Sequence, residues 1–89
     1  MSAKDYETLL AETIDIISRL RQQDVTQDTR LVADLSLDSV DIAELVAEME
    51  DHFDVIIPME KLPEIRTVQD IALSLAPLVL TQNESAETV

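Results

Sequence analysis

Residues 38–53 read DSVDIAELVAEMEDHF and carry the most regular apolar pattern in the chain. The apolar positions at helical spacing are Ile42, Leu45, Val46, Met49 and Phe53. Spacings of three and four residues place these side chains on one face of an α-helix, so we expect that face to be buried. Asp38 is a favourable N-cap residue, and Asp41 three positions later predicts a capping box with Asp in place of Glu.

Two further segments show helical periodicity. The first runs from about Lys4 to Arg21, and its predicted buried face consists of Tyr6, Leu9, Leu10, Ile14, Ile17 and Leu20. Thr67, with Asp70 three positions later, predicts the start of a last helix. Its apolar face consists of Val68, Ile71, Ala72 and Leu75. Pro77 is expected to end or kink this helix, because proline lacks the backbone N–H that the helix needs.

The connections complete the predicted fold. Leu31, Val32 and Leu35 are expected to pack onto the core after a polar connection over residues 22–30. Val55-Ile56-Ile57 is interpreted as a buried connection, and the stretch between Pro58 and Pro63 has room for one helical turn. The fold class predicted is all-α, a small bundle of three main helices plus a short helix before the last. Residues 1–80 form one domain, and residues 81–89 are expected to be a flexible C-terminal tail.

Length and charge restrict the possible functions. A chain of 89 residues has room for one modest core. Nineteen Asp and Glu against six Lys and Arg give a net charge of −13, which repels nucleic acid and anionic lipid. We therefore expect no nucleic acid and no membrane among its partners. Proteins with basic surfaces are the partners that this charge favours.

Missing residue types exclude several kinds of site. The chain has no Cys and no Gly, which excludes thiolate metal sites, cysteine nucleophiles and glycine-rich phosphate loops. A single histidine, His52, cannot form a histidine-rich metal site, so no metal is expected. No acid–base pair or nucleophile–histidine pair can be placed in a pocket, which argues against an enzyme. The beginning of the sequence lacks the apolar run of a signal peptide, so a cytoplasmic location is expected.

The predicted second helix carries charge of one sign. From Leu31 to Glu60 there are nine acidic residues and no Lys or Arg. Asp41, Glu44, Glu48 and Asp51 follow one another at spacings that form a stripe, which we call the acidic stripe. Val40, Ala43 and Ala47 form a thin apolar strip beside it. One interpretation is a solvated acidic surface, and the other is a docking face for basic partners.

Ser39 lies just inside the start of this helix, and a serine there alone is usually a cap or a filler. Its surroundings are more specific. The motifs in order are Asp38-Ser39-Val40, an acidic helix ending near Phe53-Asp54, Ile57-Pro58, and Thr67-Val68-Gln69-Asp70. In order and spacing this pattern resembles the acyl carrier proteins, from about residue 3 to residue 80.

The resemblance implies that Ser39 receives 4′-phosphopantetheine from coenzyme A and then holds acyl intermediates as thioesters on the terminal thiol. It implies a non-catalytic, monomeric carrier in fatty acid or related acyl biosynthesis, either polyketide-like or specialised. Its partners would be a phosphopantetheinyl transferase and synthases, ligases and reductases with basic docking patches. The implied recognition residues are Asp38, Val40, Asp41, Ala43, Glu44, Ala47, Glu48, Glu50 and Asp51. The implied acyl pocket consists of Val46, Met49, Ile57, Leu62, Ile65 and Ala72.

The sequence also departs from the family pattern. Ser36 replaces the usual glycine three residues before Ser39, so the turn either avoids positive φ or strains Ser36. Ile56 stands where a polar residue is common, and Ala43 and Ala47 are smaller than usual. These changes favour a specialised carrier. Two alternatives remain, an aminoacyl or peptidyl carrier and an acidic helical adaptor with no covalent cofactor.

Overall fold

The computed structural model describes the backbone of residues 5–88 and the side chains of residues 5–80. Three α-helices, α1 (Tyr6–Arg21), α2 (Ser39–Phe53) and α3 (Val68–Thr88), are joined by connections that include a 3₁₀ helix at Met59–Glu64. The all-α prediction of three main helices with a short helix before the last is confirmed. Within residues 5–88, no helix combines the length and the apolar character that crossing a bilayer requires.

Side-chain caps explain why the helices begin where they do. The Asp41 N–H donates to Asp38 Oδ1 at 2.8 Å, and the Asp38 N–H donates to Asp41 Oδ2 at 3.2 Å, which confirms the predicted capping box of α2. A second box opens α3, where the Asp70 N–H donates to Thr67 Oγ1 at 3.2 Å and the Thr67 N–H to Asp70 Oδ2 at 3.0 Å. Such caps satisfy helix-start N–H groups that otherwise lack partners.

Among residues 5–88, three non-glycine residues adopt left-handed backbone conformations. Gln22 and Asp54, with φ of 53° and 57°, form the C-caps of α1 and α2. Ser36 has φ of 59° in the turn that leads to Ser39. Of the two possibilities that the sequence left for this turn, the structure confirms the strained serine. Left-handed backbone is unfavourable for residues with a Cβ atom, and a chain without glycine must accept that cost.

The core collects one face of each helix and parts of the connections. Its fully buried large side chains include Leu9, Ile17, Leu31, Met49, Ile71 and Leu75. Helix α1 packs mainly against α3. Thr13 is also fully buried, and its Oγ1 donates to the Leu9 carbonyl oxygen at 2.8 Å, which satisfies the hydroxyl inside the core.

Three apolar residues that the sequence placed in the core are exposed. Val32 is 62% exposed and lines a surface cavity, and Leu20 is 44% exposed at the end of α1. Ile56 is 80% exposed, whereas its neighbours Val55 and Ile57 are buried. In a non-helical connection, neighbouring side chains point to opposite sides, so burying two of the three residues turns Ile56 outward.

Helix α3 continues through Pro77 to Thr88, so of the predicted end or kink at Pro77 the end is wrong, and the kink stays a prediction. Proline deprives the carbonyl oxygen of Leu73, four residues earlier, of its N–H partner. Leu73 and Pro77 are both exposed, which lets water take that place, while Leu75 and Val79 are buried and hold the helix to the core. The domain limit at residue 80 and the flexibility of residues 81–89 stay predictions.

Candidate functional site

Ser39 is the first residue of α2, and its side chain is exposed. The side chains of Asp38 and Asp41 make the capping box, so the Ser39 hydroxyl takes no part in it. The box uses the N–H groups of Asp38 and Asp41 and leaves those of Ser39 and Val40 for another acceptor. Together with the positive end of the helix dipole, they make this position favourable for an anion bonded to Ser39 Oγ.

An open cavity of about 600 Å³ lies beside Ser39. Three segments form its wall: the connection before α2, the first turn of α2, and the stretch from the 3₁₀ helix to the start of α3. The lining residues are Arg30, Val32, Ala33, Ser39, Ile42, Ala43, Leu62, Pro63, Ile65 and Arg66. The wall is therefore mainly apolar, with Ser39, Arg30 and Arg66 as its polar and charged residues, and the cavity volume is in the range of small-molecule sites.

The predicted acyl pocket overlaps this cavity only in part. Leu62 and Ile65 line it. Val46, Met49, Ile57 and Ala72 are buried in the core and do not belong to its lining. Ile42 lines the cavity although its spacing predicted a core position, because periodicity identifies the apolar face of a helix and not what that face meets. Nothing in the local sequence distinguishes Val32 and Ala33 as lining residues.

Backbone hydrogen bonds hold the two arginines of the cavity wall near each other. Arg30 forms an isolated antiparallel bridge with Thr67. The Leu31 N–H donates to the Arg66 carbonyl oxygen at 2.9 Å, and the Val68 N–H donates to the Thr29 carbonyl oxygen at 3.0 Å. These bonds fix residues 29–31 against residues 66–68, so both guanidinium groups start from one rigid piece of backbone.

The Asp34 carboxylate is held more firmly by the backbone N–H of Arg30 than by the Arg30 guanidinium group. The Arg30 N–H donates to Asp34 Oδ2 at 2.8 Å, whereas Arg30 Nη2 lies 3.5 Å from Asp34 Oδ1. The backbone hydrogen bond is the main reason that the pKa of Asp34 lies below its ordinary value, with the Arg30 side chain adding less. The Arg30 guanidinium is therefore only loosely engaged.

The acidic stripe is largely exposed. Glu44, Glu48 and Asp51 are exposed, and Asp41 is half-buried. In the strip beside it Val40 is 63% exposed, and Ala43 and Ala47 are exposed as well. A small apolar strip rimmed by carboxylates is suited to transient binding of a basic surface.

Three of the nine predicted recognition residues have carboxylates engaged within the chain. Asp38 and Asp41 accept the N–H groups of the capping box. The half-buried Glu50 accepts the Ile57 N–H at 2.7 Å, which ties α2 to the connection that follows it. The Glu50 hydrogen bond was not predicted, because residues 50 and 57 meet only once the chain turns at Asp54.

The site suits attachment of a group through a phosphate ester and is poorly suited to catalysis. His52 lies 13 positions after Ser39 on α2, which at 1.5 Å per residue is about 20 Å along the helix. That distance is too long for a proton transfer from the Ser39 hydroxyl. An anion on Ser39 would instead meet helix N–H groups, and an apolar chain joined to it would find the cavity within reach.

The chain is similar to proteins of one family. The family model described as "Phosphopantetheine attachment site" matches residues 7–75. An acyl carrier protein of Syntrophobacter fumaroxidans is 39% identical over 70 residues, covering 75% of this chain and 86% of its own. A meromycolate extension acyl carrier protein of Mycolicibacterium aurum is 33% identical over 88 residues, covering 97% of this chain and 91% of its own.

A solved structure agrees with the sequence comparisons. A proposed acyl carrier protein of Mycobacterium tuberculosis superposes with a TM-score of 0.71 and 32% identity, covering 79% of this chain and 97% of its own. Proteins of this kind are carriers and not catalysts, and they interact with synthases and transferases. The chain belongs to the acyl carrier protein family, and its cofactor is a covalently attached 4′-phosphopantetheine.

Proposed function

We propose that Ser39 bears the 4′-phosphopantetheine and that the chain holds acyl intermediates as thioesters for fatty acid or related acyl biosynthesis. The observation that carries this proposal is the exposed Ser39 hydroxyl, at a capped helix start and in the wall of an apolar cavity. Loading by a phosphopantetheinyl transferase forms the bond from Ser39 Oγ to phosphorus and breaks the pyrophosphate bond of coenzyme A. Adenosine bisphosphate leaves, and the hydroxyl proton passes to a base on the transferase.

The residues around Ser39 fit such a group. The N–H groups of Ser39 and Val40 are suited to hold the phosphodiester, because they lie at the positive end of the helix dipole. Ile42, Leu62 and Ile65 supply apolar wall for a chain that folds back into the cavity. When attached, the group supplies the thiol on which acyl chains are carried, and the chain itself has no cysteine that could compete.

The acidic stripe is proposed as the docking face for the transferase and for synthases, ligases and reductases with basic patches. Glu44, Glu48 and Asp51 provide the free charges. Apolar contact next to Ser39 is provided by Val40, Ala43 and Ala47. The carboxylates of Asp38, Asp41 and Glu50 add negative charge to this surface, although their hydrogen bonds also stabilise the ends of α2. The meromycolate extension carriers among its relatives agree with a specialised pathway, and the relatives named simply acyl carrier protein agree equally with general fatty acid synthesis.

Intact-mass measurement after incubation with coenzyme A and a phosphopantetheinyl transferase tests the attachment site. We expect the mass of one 4′-phosphopantetheine to be added to the wild-type chain and none to be added to Ser39→Ala. Ser36→Gly is the matched control, because it removes the nearest other hydroxyl in the sequence, which is also exposed, and should still be loaded.

An unmodified, folded wild-type chain would reject the proposal in favour of an acidic adaptor without a cofactor. Loading of Ser39→Ala would move the attachment to another residue. The cargo distinguishes an aminoacyl or peptidyl carrier from an acyl carrier. Mass spectrometry of the protein purified from its own host gives the mass of the arm together with its cargo.

A further inference from the structure

We propose that the cavity beside Ser39 selects acyl chains that end in a carboxylate, which Arg30 and Arg66 bind at the cavity wall. This inference rests on the proposed attachment of the arm to Ser39, and it specifies the class of cargo. The first reason is where the positive charges lie. The whole chain has six Lys and Arg, and two of the six line this one apolar cavity.

The second reason is that both guanidinium groups are available. Among the ion pairs of the described residues, Arg19 pairs with Asp15 at 2.8 Å and Lys61 with Glu64 at 4.0 Å, whereas Arg66, like Arg21 at the end of α1, takes part in none. Arg30 lies 3.5 Å from Asp34, and both side chains are exposed. Exposed pairs of this kind contribute little free energy, so a carboxylate can displace Asp34 from the Arg30 guanidinium.

The third reason is preorganisation. The bridge between Arg30 and Thr67 and the bond from the Leu31 N–H to the Arg66 carbonyl oxygen keep the two backbone segments fixed. The guanidinium group is planar and offers paired N–H donors that match the two oxygens of a carboxylate. An anionic chain end would meet these donors after an apolar stretch along Ile42, Leu62 and Ile65.

The phosphodiester of the arm is a less suitable ligand for these arginines. It would be bonded to Ser39 on α2, where the helix-start N–H groups of Ser39 and Val40 serve it. Arg30 and Arg66 belong to the two segments paired with each other and not to α2. They are therefore assigned to a second anion, at the far end of the carried chain.

Two cargoes of equal length test the proposal. The chain is loaded from octanoyl-coenzyme A, which ends in a methyl group, or from suberoyl-coenzyme A, which ends in a carboxylate labelled with ¹³C. NMR titration then gives the pKa of the terminal carboxyl group on the protein and in free suberoyl-coenzyme A. Two arginines should lower this pKa on the protein by about one unit, the smallest effect typical of a close opposite charge. A carboxylate free in the field of −13 should instead have a raised pKa.

Two double variants provide the control. Arg30→Gln with Arg66→Gln should abolish the lowering and give a raised pKa. Arg19→Gln with Arg21→Gln removes the same two charges from α1, outside the cavity lining, and should keep the pKa low. Thioester cleavage by hydroxylamine should be several-fold slower for the suberoyl than for the octanoyl cargo in wild type, and equal in the cavity variant. Circular dichroism checks that all forms are folded.

A raised pKa on the wild-type chain, or the same pKa in both double variants, overturns the proposal. If the ³¹P signal of the arm shifts with the cavity variant while the carboxylate does not respond, the arginines serve the phosphodiester, and the carboxylate assignment is wrong. Failure of the proposed attachment to Ser39 is distinguished from failure of this inference by the intact-mass measurement. A chain that is not loaded shows no mass increase, and the cargoes are then not compared.

Discussion

At the scale of single residues, Ser36 adopts a left-handed backbone conformation that is usually adopted by glycine. Its φ of 59° turns the chain just before Asp38 and Ser39, and its N–H donates to the Val32 carbonyl oxygen at 3.0 Å. The sequence identified the position, because the family pattern has glycine there. It could not decide between a different turn and a strained serine, since both satisfy the same spacing.

Ser36→Gly should stabilise the protein. Glycine adopts left-handed backbone without a Cβ clash, and the gain is partly offset by its greater freedom in the unfolded state. We expect a net gain of about 0.5–1 kcal/mol, or a rise in Tm of roughly 2–8 °C by calorimetry. Ser36→Ala keeps the Cβ atom and should give no rise. A lower Tm for Ser36→Gly would show that the serine is not strained.

Glu50 was predicted to contact partners, but its carboxylate binds the Ile57 N–H at 2.7 Å. Glu50→Ala should therefore cost roughly 1–2 kcal/mol, because it leaves a partly buried N–H without its acceptor. Glu48→Ala is the matched control: it removes the same charge from an exposed side chain of the same helix. Denaturant unfolding measures both, and equal stabilities would mean that the bond to Ile57 contributes nothing.

At the scale of the elements, the positions of the helices were largely predictable from the sequence. Which segments pack against each helix face was not. The start of α2 followed from Asp38 and Asp41, since a capping box is a local pattern. Continuation of α3 through Pro77 depends on packing on either side, which local rules do not contain. The cavity joins three segments distant in sequence, so only Leu62 and Ile65 of its lining were placed in the acyl pocket beforehand.

The acidic stripe on α2 yields a prediction about docking. Glu44→Lys with Glu48→Lys should slow loading of Ser39 by a phosphopantetheinyl transferase by about tenfold or more, because charge complementarity governs association rates. The circular dichroism spectrum should stay unchanged, since both side chains are exposed.

Asp24→Lys with Asp28→Lys is the control for this charge reversal. Both residues are exposed in the connection after α1, and their substitution gives the same net charge. Loading of this variant should stay near the wild-type rate at equal ionic strength. If both double variants are slowed equally, total charge and not the stripe controls docking.

At the scale of the whole molecule, a charge of −13 on 89 residues works against the compact state. Screening should therefore stabilise the protein. The Debye length falls from about 30 Å at 0.01 M salt to about 10 Å at 0.1 M. We expect the Tm, measured by calorimetry, to rise by several degrees over this range.

The Glu44→Lys, Glu48→Lys variant provides the comparison for the salt effect. Each substitution changes the charge by two, so this variant stands at −9 and should show a smaller rise. A wild-type Tm that does not respond to salt would mean that the acidic groups are too well solvated to repel one another.

The backbone hydrogen bonds that join residues 29–31 to residues 66–68 hold one side of the cavity wall in place, and among the residues that the structure describes no such bonds hold the opposite side. The 3₁₀ helix at Met59–Glu64, which supplies Leu62 and Pro63, has no fully buried residue, and its half-buried Leu62 packs against the core. A bulky cargo would displace this short helix more readily than the backbone of Arg30 and Arg66, which the hydrogen bonds hold in place. Acyl chains of different lengths would then be accommodated by movement of the 3₁₀ helix, while Arg30 and Arg66 still bound the carboxylate at the end of the chain.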